Sequence, residues 1–335
     1  MATGPSPRVV VTSRSFGRYV PDGIRLLEEA GLDVVMAGQG APWPEDRMVG
    51  LARDAQALIV GTDQVTRRVL AGSPRLRVVA RHGVGVDNID LAGAAALGIA
   101  VTYTPGANTD AVAELTVALL LALWRGIVAA DRTVREGRWE PVLGYEARGR
   151  TLGVVGLGRI GRGVAERARA LGMRVVAFDV AEDRPYALAH GIAYLPLEDL
   201  LRTADAVSVH VPLTPKTRGL IGARELAWMK PTAVLVNVAR GGVIDEEALA
   251  AALEGGRLAG AAVDVFTVEP PWESPLLRAP NVILTPHIGA HTLEAMTRMD
   301  LMAASDVVAV LRGDPPSYPV PAGGAHPPPH GEEPG

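Results

Sequence analysis

The chain contains no cysteine among its 335 residues. That absence excludes disulfides, thiolate nucleophiles and cysteine-ligated metals, and a cytoplasmic location is expected. A membrane-length apolar run is also missing. The longest, Leu115 to Trp124 broken only by Thr116, lies between Glu114 and Arg125. It is shorter than the ~20 residues a membrane span needs and reads as a buried helix. Residues 1–7 carry no apolar signal core. There is no large excess of either charge: 33 basic residues face 37 acidic ones, a net charge of −4. Neither nucleic acid nor an anionic membrane has an electrostatic reason to bind. No metal site is expected. The chain does have the length for about two domains of ~150 residues, and with 48% hydrophobic residues it can bury sizeable cores.

Apolar β-prone stretches alternate with helical ones. Arg8 to Thr12, Val34 to Met36, Ala57 to Val60 and Leu76 to Ala80 read as strands, with a helix over 23–30. A second series follows at Ala206 to Val211, Ala233 to Val238, Ala259 to Val265 and Val282 to Thr285, and residues 292–312 read as a final amphipathic helix. Such alternation argues for parallel α/β sheets. A long helix begins near Asn108 or Thr109, and its apolar residues surround the axis from Val112 to Leu123, which predicts deep burial. In residues 315–335, 12 of 21 are Pro or Gly, so the tail from 321 is expected to be disordered.

Between the two series lies Gly156-Leu157-Gly158-Arg159-Ile160-Gly161. The strand-like Leu152 to Val155 precedes it, a helical stretch from Arg162 follows, and a second strand-like stretch, Met173 to Phe178, ends on Asp179. In that context the glycines form a dinucleotide fingerprint. The first permits the tight turn, the second lets the backbone approach a pyrophosphate, and the third lets helix and strand pack closely. Helix N-terminal N–H groups favour the phosphates. An aspartate at 179 suits a ribose diol and disfavours a 2′-phosphate, which points to NAD. The first series has no such fingerprint. It has the loop Arg81 to Asp90, whose Gly83-Val84-Gly85 backbone could cradle a small anion or form an ordinary turn.

Three polar residues follow strands of the second series: Arg240, Glu269 and His287. Ligands of open α/β sheets bind beyond the carboxyl ends of strands. Taken singly, they also read as a solvated turn residue, a cap and a satisfied loop histidine.

The stretches Gly83 to Asn88, Asn108 to Thr116, Gly156 to Gly161, Asn237 to Asp245, Val263 to Pro271 and Pro286 to Ala290 occur in an order that resembles the D-isomer-specific 2-hydroxyacid dehydrogenases, the phosphoglycerate-dehydrogenase-like branch in particular. The likeness spans about residues 8–315. It implies two Rossmann-like, doubly wound parallel-sheet domains. An NAD domain, residues 105–290, would be inserted into a discontinuous substrate domain, 1–104 with 291–320, the two closing on substrate. It implies NAD-dependent hydride transfer between a D-2-hydroxy acid and a 2-keto acid, and a homodimer. His287 would be the acid/base, Glu269 its orienting partner and Arg240 the carboxylate ligand, aided by Gly83, Val84 and Gly85. The cofactor would be held by Gly156, Gly158, Arg159, Ile160, Gly161, Asp179, Val211, Val238, Arg240, Asp264, His287, Gly289 and Ala290, with Val84 alongside. His82 and His291 flank the expected pocket, as shaping or packing residues.

Some features depart from particular branches. Phosphoglycerate-specific members usually carry an arginine where this chain has Gly61-Thr62, and phosphite-oxidising relatives carry a lysine at the Val84 position. Formate-type relatives carry an amide at the Glu269 position. Phosphoglycerate dehydrogenase proper and a non-enzymatic NAD(H) sensor stand as the competing readings.

Overall fold

The computed structural model describes residues 6–38, 40 and 42–321. The tail expected to be disordered therefore lies, beyond Pro321, outside the described residues. The chain divides into two compact units, Met1–Asn108 with Ala290–Gly335, and Thr109–Gly289.

In the first unit five strands, β1 (Arg8–Val11), β2 (Asp33–Met36), β3 (Ala57–Val60), β4 (Val78–Arg81) and β5 (Ala100–Thr102), pair in the order β2-β1-β3-β4-β5. All pairings are parallel. β3 and β4 are buried along their whole length, as strands covered on both faces must be. One face packs on the helix Leu293–Arg312, whose Ala303, Ala304 and Val307 meet Val9, Val11, Ile59 and Val78. Thr292 caps that helix by accepting the Ala295 N–H, and Gly313 ends it at φ +99°, where glycine carries no Cβ penalty.

The second unit holds β6 (Thr151–Val155), β7 (Arg174–Phe178), β8 (Ala193–Tyr194), β9 (Ala206–Val209), β10 (Val234–Asn237), β11 (Gly260–Val263) and β12 (Val282–Leu284), in the order β12-β11-β10-β9-β6-β7-β8. These are also all parallel. Strand order reverses beside β6, so the loops after β6 and β9 open the crevice where such sheets take ligands. The strands of this sheet stop short of their expected ends, β9 at Val209 and β10 at Asn237, because the backbone turns out of the ladder to form the loops that carry the polar residues.

The two compact units divide at 108/109 and 289/290, where 104/105 and 290/291 were expected. Ala107 packs with Met296 and Met299, Ala290 lies against the same cluster, and Arg298 donates to the Ala107 carbonyl at 2.9 Å. The long helix, Thr109–Arg125, is not buried all round. Ala111, Val112, Ala113, Thr116, Leu119, Leu120 and Trp124 are buried, Val117 and Leu121 are half-buried, and Ala118 is exposed. Among the described residues no single helix is long and apolar enough to cross a membrane.

Candidate active site

The glycine turn leaves β6 at Gly156, φ +98°, where a Cβ would lie 2.9 Å from the His210 carbonyl carbon. A Cβ on Gly161 would lie 2.1 Å from the Gly156 oxygen, so only glycine fits. A Cβ on Gly158 would meet nothing within 4 Å. The helix Arg159–Ala170 starts there with no side-chain cap. Open space in front of uncapped N–H groups is what a pyrophosphate requires. Asp179, after β7, accepts from Leu157 N–H at 2.7 Å and from Ala181 N–H at 2.9 Å. Its carboxylate ties the turn to the end of the second strand and keeps lone pairs for a diol. Arg162 steadies the following segment, pairing with Asp183 at 2.7 Å and lying 3.9 Å over the Tyr186 ring. These residues fit NAD. Val238 is buried beneath the sheet end, and Ile160 packs against the same core cluster.

After β10 the chain turns through Arg240. Asn237 braces the turn, donating to the Arg240 carbonyl at 3.2 Å and accepting from Ala239 N–H at 3.1 Å. A Cβ on Gly241 would come within 2.0 Å of the Phe266 carbonyl. That close approach draws the arginine turn against the segment carrying Glu269. Arg240 Nη1 donates to the Ala239 carbonyl at 2.8 Å.

Glu269 and His287 meet. His287 Nδ1 stands 3.0 Å and 2.9 Å from the two Glu269 carboxylate oxygens. An ionised carboxylate only accepts, so Nδ1 carries the proton and Nε2 is left for exchange. Phe266 N–H donates to Glu269 at 3.1 Å. Burial pushes the Glu269 carboxyl up, but the His287 hydrogen bond and charge, the Phe266 N–H and the Arg240 charge outweigh it, and the net pKa is below the ordinary value. His287 sits at φ +55°, a conformation rare outside glycine that is retained where surrounding structure enforces it.

Asp264 provides that enforcement. Fully buried, it accepts from Thr285 Oγ1 at 2.6 Å, Ile288 N–H at 2.8 Å and Gly289 N–H at 2.8 Å, while its carbonyl takes the His287 N–H at 2.9 Å. Burial drives its carboxyl pKa up against the pull of these donors and of the His287 charge, and the net shift is upward. Sequence reasoning gave Asp264 a cofactor contact. It missed this anchoring of the histidine loop, along with Asn237, Gly241 and Thr285.

It also missed His210, directly after β9. Neither ring nitrogen has a hydrogen-bond partner among the described residues, and burial pushes its pKa down to about 3. It is neutral near pH 7 beside the glycine turn. Its signal in the sequence was a polar residue at a strand's carboxyl end. Val211, next to it, packs beneath Gly156. Ala290 lies in the first unit. So does the loop Gly83 to Gly85, in which Gly83 has φ +144° and a Cβ there would lie 2.6 Å from Arg81 Nη1. His82 is buried, and His291 packs edge-on to Tyr19. Among the described residues no group of three or more His, Asp or Glu is arranged to hold a metal ion.

Residues 117–289 match the D-isomer specific 2-hydroxyacid dehydrogenase, NAD binding domain. A glyoxylate reductase of Aeropyrum pernix is 44% identical over 321 residues, covering 92% of this chain and 94% of that protein. A D-3-phosphoglycerate dehydrogenase of Methanocaldococcus jannaschii is 43% identical over 298 residues, covering 88% of this chain but 56% of its own length. The crystal structure of the TT0316 protein of Thermus thermophilus superposes with a TM-score of 0.84 at 40% identity, over 93% of this chain and 99% of that one. The chain belongs to the D-isomer-specific 2-hydroxyacid dehydrogenase family. It is an NAD-dependent oxidoreductase that interconverts D-2-hydroxy acids and 2-keto acids by hydride transfer.

Proposed function

We propose that this enzyme reduces a small, unphosphorylated 2-keto acid, with glyoxylate the first candidate. The observation that carries the residue roles is the His287–Glu269 pair, 2.9 Å apart, on the sheet edge that also carries the Arg240 turn. NADH, when bound, supplies the hydride. Arg240 grips the substrate carboxylate with its fixed fork of donors and polarises the carbonyl. The loop Gly83-Val84-Gly85 adds backbone N–H groups to the same carboxylate. As negative charge develops on the carbonyl oxygen, His287 Nε2 delivers its proton. Glu269 accepts from Nδ1–H and holds the ring so that Nε2 faces the reacting oxygen. In the oxidative direction neutral His287 takes the hydroxyl proton. Asp264 uses its remaining lone pair for the nicotinamide amide, with Gly289 and Ala290 alongside. Gly156, Gly158, Arg159, Ile160 and Gly161 hold the pyrophosphate end, Asp179 the adenosine ribose, and Val211 and Val238 the intervening wall.

Support for glyoxylate comes from the relatives that bear that name. Against a phosphorylated substrate, Gly61-Thr62 offers no cation after β3, and Arg68 is engaged by Glu45 at 3.2 Å and Asp46 at 2.6 Å. A homodimer in the cytoplasm completes the reading. Its interface is the partly uncovered long helix and the segment 127–145, where Ile127 is 55% exposed, Trp139 87% and Leu143 99%.

The test is NADH oxidation with glyoxylate, hydroxypyruvate, pyruvate, phosphohydroxypyruvate and bulkier 2-keto acids. The reading expects kcat/KM to be highest for glyoxylate or hydroxypyruvate. Far higher activity on phosphohydroxypyruvate would replace it with phosphoglycerate dehydrogenase. Tight NADH binding without turnover of any member would favour a sensor.

A further inference from the structure

The first unit contains another histidine–carboxylate pair, this one buried, that the mechanism does not use. His82 follows β4 directly and opens the turn His82-Gly83-Val84-Gly85. Its side chain is 1% exposed, and Nε2 lies 2.7 Å from Oδ1 of Asp300, whose side chain is 0% exposed. The two atoms meet at ion-pair distance without hydrogen-bond geometry. On the other side Nδ1 stands 3.1 Å from Ser13 Oγ and 3.3 Å from Ser15 Oγ, and the Phe16 ring meets the imidazole edge-on at 5.6 Å. Asp300 Oδ2 accepts the Gly17 N–H at 2.9 Å. A Cβ on Gly23 would lie 2.9 Å from the Asp300 Cβ and 2.8 Å from the Phe16 ring, so glycine alone lets the three elements converge.

One imidazole thus joins the loop after β1, the loop after β4 and the helix Leu293–Arg312. Taking an aspartate fully out of water is costly, so an isolated carboxylate in this place would be strongly unfavourable. Here it has His82 and a backbone N–H, and the histidine is fixed in return.

The turn that His82 opens is held from two further directions. Arg81 Nε donates to the Gly85 carbonyl at 2.9 Å and Nη1 donates to the His82 carbonyl, while Thr104 N–H donates to the Gly83 carbonyl at 3.0 Å. The His82, Gly83 and Gly85 carbonyls are therefore occupied. The Val84 and Gly85 N–H groups, which have no partner among the described residues, are what it can offer an anion.

We infer that His82 and Asp300 are positioning residues for substrate. They set the backbone angle of Gly83-Val84-Gly85 and thereby the affinity for the keto-acid carboxylate, without touching substrate, cofactor or the reacting atoms. This rests on the reading of that loop as the carboxylate ligand. Misplacing an anchor by about 1 Å can cost up to ~10²-fold in rate or affinity.

The experiment compares the wild type with H82Q and with the double variant H82L/D300L. The double variant removes both partners for apolar groups, which spares the fold an orphaned buried charge. Glutamine keeps an N–H donor toward Asp300. Two quantities are measured: the glyoxylate KM with kcat, and hydrogen exchange of the amides at 83–86. For H82L/D300L the expected result is a KM raised about tenfold or more, with kcat within about threefold and the NADH KM unchanged. Exchange in the loop should quicken about tenfold. H82Q should restore most of both.

If neither KM nor loop exchange moves in the double variant, the pair is a core contact and the inference is overturned. It is overturned equally if KM rises while loop exchange stays at the wild-type value. Faster exchange with an unchanged KM would leave the pair as the loop's support but remove the loop from the carboxylate site, and the inference would fall with it.

Discussion

At the residue scale, the reaction depends on how individual groups hold protons. On the proposed roles, His287→Ala removes the proton donor and should lower kcat by about 10²–10⁴-fold, while NADH titration by fluorescence should find near-normal affinity. A kcat close to wild type with every accepted keto acid would sink the mechanism. Glu269→Gln keeps the shape and loses the charge that orients Nδ1–H, so kcat should fall about 10²-fold or more. The same carboxyl has a stability signature. Its pKa is lowered in the folded state by His287, the Phe266 N–H and Arg240, which overcome the upward push of burial. Stability from such a group is present above the ordinary carboxylate value and is lost as pH falls through the lowered folded value. The Tm difference between wild type and Glu269→Gln should therefore be constant from neutral pH down to the ordinary carboxylate range and shrink below it. A difference that grows on acidification would contradict the assignment. Arg240, Glu269 and His287 were legible in the sequence as polar residues at strand ends. Asp264's grip on the histidine loop was not, because its donors Thr285, Ile288 and Gly289 arrive from the neighbouring strand's end.

Elements translate glycine positions into cofactor affinity, and two of them separate binding from folding. Gly158 has open space about it and lies at φ −74°. Gly158→Ala should fold with a Tm near wild type yet bind NADH more weakly, since the methyl takes room the pyrophosphate needs. Gly161→Ala sets a Cβ 2.1 Å from the Gly156 carbonyl and should cost stability by about 1–3 kcal/mol, read from chemical denaturation. Equal Tm values for the two variants would mean that the turn is looser than drawn. Asp179 belongs to the same unit of strand, turn and strand. A steady-state preference for NADPH over NADH would contradict its proposed place on the adenosine ribose. The central strands were legible because strands covered on both faces read as continuous apolar runs. β5 and β8, with three and two residues, carry too little pattern to stand out from their loops.

For the whole molecule, assembly and chain connectivity matter most. The segment 127–145 leaves Ile127, Val134, Trp139 and Leu143 in water, and apolar exposure on that scale marks a contact surface. Light scattering after size exclusion should find a dimer, and Leu143→Asp with Trp139→Glu should shift it toward monomer; a wild-type monomer would overturn the homodimer. Local order alone determined a great deal here. Spacing of apolar runs set the parallel α/β class, the glycine turn with its following aspartate set the dinucleotide chemistry, and the succession of motifs set the family, since each of these depends on residues close together in the chain. The tertiary structure decided what depends on convergence: that Gly241 must pass under Phe266, that Asp264 holds His287 in a left-handed backbone, and that Asp300 of the last helix meets His82 after β4. No local pattern encodes those contacts, because each joins side chains that become neighbours only when distant strands and helices pack.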